Sequence, residues 1–140
     1  MPAQVRGFLP AAVLATVALA LAACGDSTEP PALPVCDAPV TVTVGAGTQP
    51  EFSWTPACRV EVLAVGRADK ASIEWFILAD PFTRRAIGPP VRYGVAPAEA
   101  LDLSFGDPPP LERGTTYFVA LAVSDAPDGD DEVGRAEFVP

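Results

Sequence analysis

Three cysteines, Cys24, Cys36 and Cys58, carry the most nucleophilic side chains of this 140-residue sequence. A thiol can take an acyl or alkyl group, form a disulfide, or bind a metal as its thiolate. The sequence contains no histidine, and no two cysteines have the Cys-x-x-Cys spacing of a redox dithiol. These residues therefore favour covalent modification or cross-linking over zinc binding and thiol redox catalysis.

Cys24 directly follows an N-terminal segment that has the features of an export signal. Arg6 supplies one positive charge, and Phe8 to Leu21 consists almost entirely of alanine, leucine and valine. These 14 residues have the length of a signal-peptide apolar region, whereas a membrane-spanning helix needs about 20 residues. The sequence therefore predicts an exported protein, and Ala20-Leu21-Ala22 is one site where an ordinary signal peptidase could cleave.

The segment Leu21-Ala22-Ala23-Cys24 resembles the lipobox of bacterial lipoproteins. The resemblance implies cleavage before Cys24, so that residues 1–23 are a lipoprotein signal peptide and Cys24 carries a diacylglycerol and an amino-terminal acyl chain. The expected location is the bacterial cell envelope, outside the cytoplasm, with a lipid anchor in the membrane. In diderm bacteria an aspartate after the lipidated cysteine resembles an inner-membrane retention signal. Gly25 stands there instead, so delivery to the outer membrane is expected.

Lipidation of Cys24 would leave Cys36 and Cys58 as a pair. An exported domain meets an oxidising compartment, in which two spare cysteines form a disulfide by default. A bridge between them would contribute about 3 kcal/mol on the chain-entropy account. The lipoprotein resemblance thus implies one structural disulfide, whereas an ordinary secretory signal would leave Cys24 as a spare thiol or a disulfide partner.

An acidic cluster at residues 125–132 is the second candidate for chemistry, with five carboxylates in eight residues. Asp128, Asp130 and Asp131 surround Gly129 and offer the oxygen ligands that calcium prefers. Their spacing differs from that of an EF-hand loop, and acidic hairpin tips commonly stay solvated and oppose edge aggregation. The sequence favours a solvated tip, with calcium binding as the alternative, and it predicts no cofactor other than the lipid on Cys24.

Charge and composition exclude several classes of function. Removing residues 1–23 removes one basic residue, so 8 basic and 18 acidic residues remain and the net charge is −10. A surface this acidic repels nucleic acid and anionic head groups. A Ser-His-Asp triad cannot form without histidine, and no glycine-rich phosphate loop is present. The sequence therefore predicts neither an enzyme nor a nucleic-acid-binding protein.

Residues 24–35 form a linker of small, polar and proline residues. From residue 36 to residue 140, apolar and polar residues alternate as they do in half-buried strands. Frequent prolines and glycines separate the stretches and exclude long helices. About seven short strands in an all-β antiparallel sandwich are predicted. The residues expected to face inward are Val40, Val42 and Val44; Phe52 and Trp54; Val60 and Val62; Ile73, Trp75 and Ile77; Leu101, Leu103 and Phe105; Tyr117, Val119, Leu121 and Val123; and the apolar residues of Val133 to Phe138.

Two segments resemble fibronectin type III domains. Leu111 to Val123 is similar to the family's hallmark of leucine, glycine, threonine, tyrosine and alternating apolar residues, although Arg113 stands where the family prefers proline. Ser53-Trp54-Thr55-Pro56 resembles the segment of the core tryptophan. The resemblance implies a fibronectin type III or immunoglobulin-like sandwich with Trp54, Gly114 and Tyr117 as core hallmarks.

Gly114 would permit a tight corner, and the Tyr117 hydroxyl would bind an upstream carbonyl in a tyrosine corner. In this topology Cys36 and Cys58 lie at one pole of the sandwich, within bridging distance.

A sandwich of this kind does not itself define a function. Two binding functions are therefore considered as hypotheses. The first is a membrane-anchored, non-enzymatic module that binds envelope proteins or glycans. The alternative is a structural or assembly lipoprotein that pairs with a partner chain through an exposed edge strand. An unpaired apolar edge would favour the alternative. Arg84, Arg85 and Arg92 could also serve a partner surface, but the prolines around them favour an edge strand that resists pairing.

Overall fold

The computed structural model of the protein describes residues 32–82, 86–124 and 131–140. These ranges contain no helix that is long and apolar enough to cross a membrane. They form eight strands: β1 Thr41–Val44, β2 Glu51–Thr55, β3 Val62–Arg67, β4 Ser72–Ala79, β5 Val91–Arg92, β6 Ala100–Asp102, β7 Tyr117–Ala122 and β8 Glu132–Phe138.

The eight strands form two antiparallel sheets, which confirms the predicted all-β sandwich. Strands β1, β2 and β5 make a three-stranded sheet in the order β1-β2-β5, and the other five make a sheet in the order β6-β4-β3-β7-β8. The additional strand relative to the expected seven is β5, which lies at the edge of the three-stranded sheet between prolines and a glycine turn. A strand of two residues is all that such a proline-rich stretch can add to a ladder.

The core lies between the two sheets and is apolar. No buried polar or charged residue is found in the described part of the chain, and the largest fully buried side chains are Trp75, Tyr93, Phe52, Leu63, Ile77, Ile87 and Leu121. Aromatic rings connect the sheets: Phe52 packs edge-on against Phe138 with centroids 5.8 Å apart, and Trp75 packs edge-on against Tyr93 at 5.5 Å. Edge-to-face pairs of this kind add to the stabilisation that burial provides.

Strand β4 departs from the predicted alternation near its beginning. The sequence pattern places Ile73 and Trp75 on one inward face, but Ile73 is 52% exposed while Trp75 is fully buried. Trp75 pairs with Val65 and Ile73 pairs with Gly66, so that Glu74 is an extra residue in β4. A β-bulge of this kind interrupts the alternation of side chains, and the prediction for Ile73 was therefore wrong.

The segment before β7 forms a corner in which the tyrosine hydroxyl is an acceptor. Gly114 has a φ of +77°, a conformation that favours glycine, and Tyr117 is 3% exposed. The Tyr117 hydroxyl accepts a hydrogen bond from the backbone N–H of Glu112 at 3.0 Å, whereas a tyrosine corner predicts that the hydroxyl donates to an upstream carbonyl. The Leu111 N–H donates to the Thr48 carbonyl at 3.1 Å, which connects this corner to the loop between β1 and β2.

Replacing Tyr117 by phenylalanine is expected to lower the free energy of unfolding by about 1–3 kcal/mol, because the Glu112 N–H loses its acceptor. The substitution keeps the ring that stacks on Phe138 with centroids 6.0 Å apart, so it isolates the hydroxyl. Urea unfolding of the two proteins measures the loss. Equal midpoints and slopes would show that water replaces the hydroxyl at no cost.

Candidate interaction surface

A disulfide joins the start of the domain to the connection between β2 and β3. The Cα atoms of Cys36 and Cys58 are 5.0 Å apart and their sulfurs 2.03 Å apart. The Trp54 indole N–H donates to the Cys58 carbonyl at 2.7 Å, so the buried tryptophan also holds this connection. The sulfur bridge and the indole hydrogen bond together define one end of the sandwich, which we call the disulfide pole.

A groove of about 460 Å³ lies at the disulfide pole, lined by Val35, Arg59, Glu61, Leu78, Ala79, Asp80, Pro81 and Ala86. The backbone of Arg59 is bound on both sides: its N–H donates to the Pro34 carbonyl at 2.7 Å, and its carbonyl accepts from the Cys36 N–H at 2.9 Å. The disulfide segment therefore fixes the position from which the Arg59 side chain enters the groove.

The most exposed apolar cluster of the five-stranded sheet lies at the β6 edge. Leu101 is 41% exposed, Leu103 is 49% exposed and Phe105 is fully exposed. The sequence pattern predicts all three inward, and this prediction was wrong. Asp102, which pairs with the buried Ile77, lies on the core-facing side of the strand but is itself exposed, and its carboxylate accepts a hydrogen bond from the Trp75 indole N–H at 2.9 Å. Because successive strand residues face opposite sides, the neighbouring leucines point outward. We call Leu101, Leu103 and Phe105 the β6 surface.

Hydrogen bonding holds Asp102 in its charged form. Partial burial by itself raises the pKa of this carboxyl, but hydrogen bonds from the Trp75 indole and from Ser104 outweigh it, so the pKa lies below the ordinary aspartate value. The Ser104 N–H donates to the carboxylate at 2.9 Å. The folded state therefore binds this proton more weakly than the unfolded state does, and ionised Asp102 stabilises the fold.

Acidification should remove this contribution. It is fully present above the unfolded-state pKa of about 4 and is lost as the pH falls through the lower folded-state pKa. We expect Asp102→Asn to destabilise the protein at pH 7 and to reduce the fall in stability between neutral pH and pH values below about 4. Urea unfolding of both proteins across this range measures the difference. Parallel curves for the two proteins would contradict it.

The apolar character of the β6 surface continues across the outer face of the sheet. Leu101 pairs with Leu78, Leu78 pairs with Val62, and Val62 pairs with Ala122. Directly paired residues point to the same side, so these four side chains form one apolar row. Leu78, Val62 and Ala122 are half-buried within it.

The opposite edge of the same sheet is charged. The β8 residues Glu132, Arg135 and Glu137 are exposed, and the Arg135 guanidinium lies 4.1 Å from the centre of the Phe118 ring. Charged side chains on an edge strand oppose pairing with other chains. The two edges of the sheet therefore differ, with the apolar cluster at β6 and the charged residues at β8.

Among the described strands, β6 has a neighbour on one side only. The Leu103 N–H donates to the Phe76 carbonyl at 3.0 Å, and the Glu99 carbonyl accepts from the Asp80 N–H at 2.9 Å. In an antiparallel ladder, successive residues alternate between facing the partner strand and facing away from it. The N–H and C=O of Asp102 therefore point towards the open edge of the sheet.

The structure brings together the residues at the disulfide pole but leaves several sequence-derived candidates outside the described ranges. Cys24, Arg84, Arg85, Asp128 and Asp130 lie outside them.

Asp131 is described, and its backbone carbonyl accepts from the Val123 N–H at 2.8 Å. No group of three metal-ligating side chains occurs in the described part of the chain, and calcium binding at residues 125–132 stays a prediction.

The sequence pattern did not indicate the roles of Asp102 at the β6 edge and of Arg59 in the groove. A buried tryptophan N–H usually has a hydrogen-bond partner, so the polar residue of a neighbouring edge strand was a candidate acceptor for Trp75. No comparable signal in the sequence indicates Arg59, because its surroundings come from four separate segments.

Comparisons with known proteins assign no family to this chain, so the protein is classified by its fold alone. No protein-family model matches the chain, and no curated protein and no solved structure is significantly similar to it. The described residues define an antiparallel β-sandwich domain of eight strands with one disulfide.

Proposed function

We propose that this protein is a lipid-anchored, non-enzymatic interaction module of the bacterial cell envelope whose sandwich presents the β6 surface to a partner protein. The observation that carries the proposal is the exposure of three large apolar side chains within five residues of one sheet edge. Clustered exposed apolar residues mark interaction sites more often than isolated ones do. The proposal favours a protein over a glycan because the cluster is apolar.

The proposed lipid anchor gives a role to Cys24 and to the linker at residues 24–35. Each buried lipid methylene contributes about 0.8 kcal/mol to membrane binding, and more than one acyl chain is needed for stable attachment. A lipidated Cys24 followed by the 24–35 linker would tether the sandwich close to the bilayer. The acidic composition keeps the domain away from anionic head groups, so that its surface stays available to a partner.

The anchor is tested by comparing the wild-type protein with Cys24→Ala in fractionated cells. We expect the wild type in the membrane fraction with an acylated Cys24 visible by mass spectrometry, and the variant in the soluble fraction of the envelope. An unacylated wild-type terminus would exclude the lipid anchor and leave the ordinary secretory signal.

The β6 surface is tested by photo-crosslinking the protein to its neighbours in intact membranes. The wild type is compared with the variant Phe105→Ser. Phe82→Ser is the matched control, because Phe82 is 93% exposed and lies outside the β6 surface. We expect the wild type and the control to form the same crosslinked product and Phe105→Ser to lose it. Equal crosslinking of all three proteins would remove the β6 surface from the proposal.

Among the described strands β6 has no neighbour on its outer side, and the same edge carries exposed apolar side chains. Both observations favour a second candidate, a structural or assembly lipoprotein whose partner chain pairs with this edge as an added strand. Edge pairing would protect the Asp102 amide from hydrogen exchange, because its N–H points to the open edge. Docking through the β6 side chains alone would leave that amide unprotected. Hydrogen exchange of the crosslinked and free proteins therefore separates the two modes of binding.

A further inference from the structure

Strand β1 differs in charge from the other sheet edges that the structure describes. These edges are β1 and β5 in one sheet and β6 and β8 in the other. Strand β5 contains Arg92, β6 contains Asp102, and β8 contains Glu132, Arg135 and Glu137. The sequence of β1 is Thr-Val-Thr-Val, with no charged residue. Charged side chains commonly protect an edge strand from pairing with other chains, and β1 lacks this protection.

The uncharged stretch extends beyond the strand itself. Residues 38–50 contain no charged residue, whereas the whole chain has a formal net charge of −9 at pH 7. Two copies of so acidic a protein repel each other over most of their surfaces. Contact along residues 38–50 brings no carboxylate of this stretch against another, so electrostatics favours it as a place where two copies can meet.

The backbone of β1 presents unused hydrogen-bonding groups on the side away from β2. The Gly45 N–H donates to the Glu51 carbonyl at 2.8 Å, so Gly45 faces β2. Because successive residues of an antiparallel ladder alternate in direction, Val42 and Val44 face away from β2. No residue of the described ranges bonds to the backbone of Val42 or Val44 on that side. The N–H and C=O of both residues are therefore available to another strand.

This available edge is short and has defined ends. At its beginning, the Val40 N–H donates to the Val133 carbonyl of β8 at 2.8 Å, so β8 occupies the position beside Val40. At its end, residues 45–47 lead the chain back towards β2, and Gly47 has a φ of +94°. A pairing strand can therefore lie only beside residues 42–44.

We propose that two copies of this protein pair through β1, in antiparallel orientation about a twofold axis at Thr43. In this register Val42 of each copy lies opposite Val44 of the other, and the two residues exchange both of their N–H···O bonds. A register centred on Val42 would use that residue alone, because the Val40 N–H is already bonded. The incoming strand turns away at residues 45–47, before it reaches the position that β8 occupies.

The pairing joins the three-stranded sheets of the two copies edge to edge. Thr43 then lies opposite Thr43 of the second copy as a non-hydrogen-bonded pair, with Cα atoms about 4.5 Å apart. Thr43 is exposed, and threonine side chains that face each other across strands stabilise a sheet through their hydroxyl hydrogen bonds. The proposal is independent of the β6 surface, which belongs to the other sheet, so failure of one leaves the other intact.

The first test is oxidative crosslinking of Thr43→Cys in the full chain, with detergent micelles in excess so that two copies do not share a micelle by chance. The proposed register places the two thiols within the Cα distance of a disulfide, about 4.4–6.8 Å. Thr41→Cys is the matched control, because Thr41 is exposed on the same face but lies about 13 Å from its counterpart, four residues along the strand. The wild type gives the background from the native cysteines.

We expect mild oxidation to convert Thr43→Cys to a covalent dimer roughly tenfold faster than Thr41→Cys, since only the first pair meets the geometry of a disulfide. A non-reducing gel measures the dimer. Equal crosslinking of the two variants would show random collision and overturn the proposal. Absence of a Thr43→Cys dimer above the wild-type background would overturn it as well.

A charge exchange tests the same register without a covalent bond. Thr43→Lys alone and Thr43→Glu alone place like charges opposite each other, so each should lose the dimer, whereas an equimolar mixture places opposite charges there and should restore it. Thr41→Lys is the control that should keep the dimer, because its charges are separated by more than the Debye length of about 8 Å at physiological salt. Sedimentation velocity measures the fraction of dimer.

The wild type provides a test that needs no substitution. Because both copies are acidic, we expect its dimer fraction to rise as added salt screens their repulsion. A wild type that sediments as a monomer up to its solubility limit would overturn the proposal. A dimer that survives both Thr43→Lys and Thr43→Glu would form through another surface and would equally overturn it.

Discussion

Removing the Cys36–Cys58 disulfide is expected to lower the free energy of unfolding by about 3 kcal/mol. The bridge closes a loop with a sequence separation of 22 residues, and opening it returns conformational entropy to the unfolded chain. The bridge also holds the connection whose Cys58 carbonyl accepts the Trp54 indole N–H. We therefore expect the disulfide pole to loosen before the rest of the sandwich does.

Urea unfolding of the oxidised protein, with and without reductant, measures this effect. The double variant Cys36→Ser, Cys58→Ser is the control, because reductant should not change its stability. Hydrogen exchange should show the largest increase at the Arg59 amide, which donates to the Pro34 carbonyl. A loss of less than about 1 kcal/mol would mean that the reduced chain remains restricted in its unfolded state.

Replacing Trp75 by alanine is expected to destabilise the protein by about 3–5 kcal/mol, as is typical of large aromatic residues removed from a core. Trp75 is fully buried, packs edge-on against Tyr93 and donates its indole N–H to Asp102. Its loss would leave a cavity between the sheets. It would also remove the indole N–H that donates to Asp102 of β6.

Trp75→Phe separates these two effects. Phenylalanine keeps most of the apolar volume but has no N–H for Asp102, so we expect a smaller loss of stability together with increased hydrogen exchange in β6. Urea unfolding and exchange of both variants provide the measurements. If Trp75→Phe were as damaging as Trp75→Ala, the indole hydrogen bond rather than core volume would dominate at this position.

The Trp75–Asp102 pair links the stability of the core to the proposed function. The hydrogen bond holds Asp102 on the core-facing side at the sheet edge, and the alternation of the strand then presents Leu101 and Leu103 to solvent. Weakening the pair would allow β6 to rotate or detach from β4. The β6 surface therefore depends on a residue of the core, and Trp75→Phe should weaken partner crosslinking without altering the exposed residues.

The strand pattern and its main anchors could be predicted from the sequence. Phe52 and Trp54 alternate with polar residues and are buried, because a strand of a sandwich has only one face against the core. Gly114 and Tyr117 predicted a corner, and the structure contains one with the hydroxyl bound to the Glu112 N–H. Both features are local, so they depend on few distant residues.

Predictions for β4 and β6 were wrong where a distant partner changes the alternation. Ile73 is exposed because one extra residue in β4 faces β3. Leu101 and Leu103 alternate as inward residues would, but β6 is an edge strand, and burying them would leave the Trp75 N–H without Asp102. Periodicity shows that two faces differ, and it does not show which face a neighbouring sheet will cover.

The sequence by itself determined an all-β antiparallel sandwich, through side-chain alternation and the prolines and glycines that divide the strands. The tertiary structure alone decided which side of β6 meets solvent and which side chains surround Arg59. The physical reason is that alternation and turn formation act between residues close in sequence. The environment of an edge strand or a groove is instead set by packing and hydrogen bonds between segments far apart along the chain.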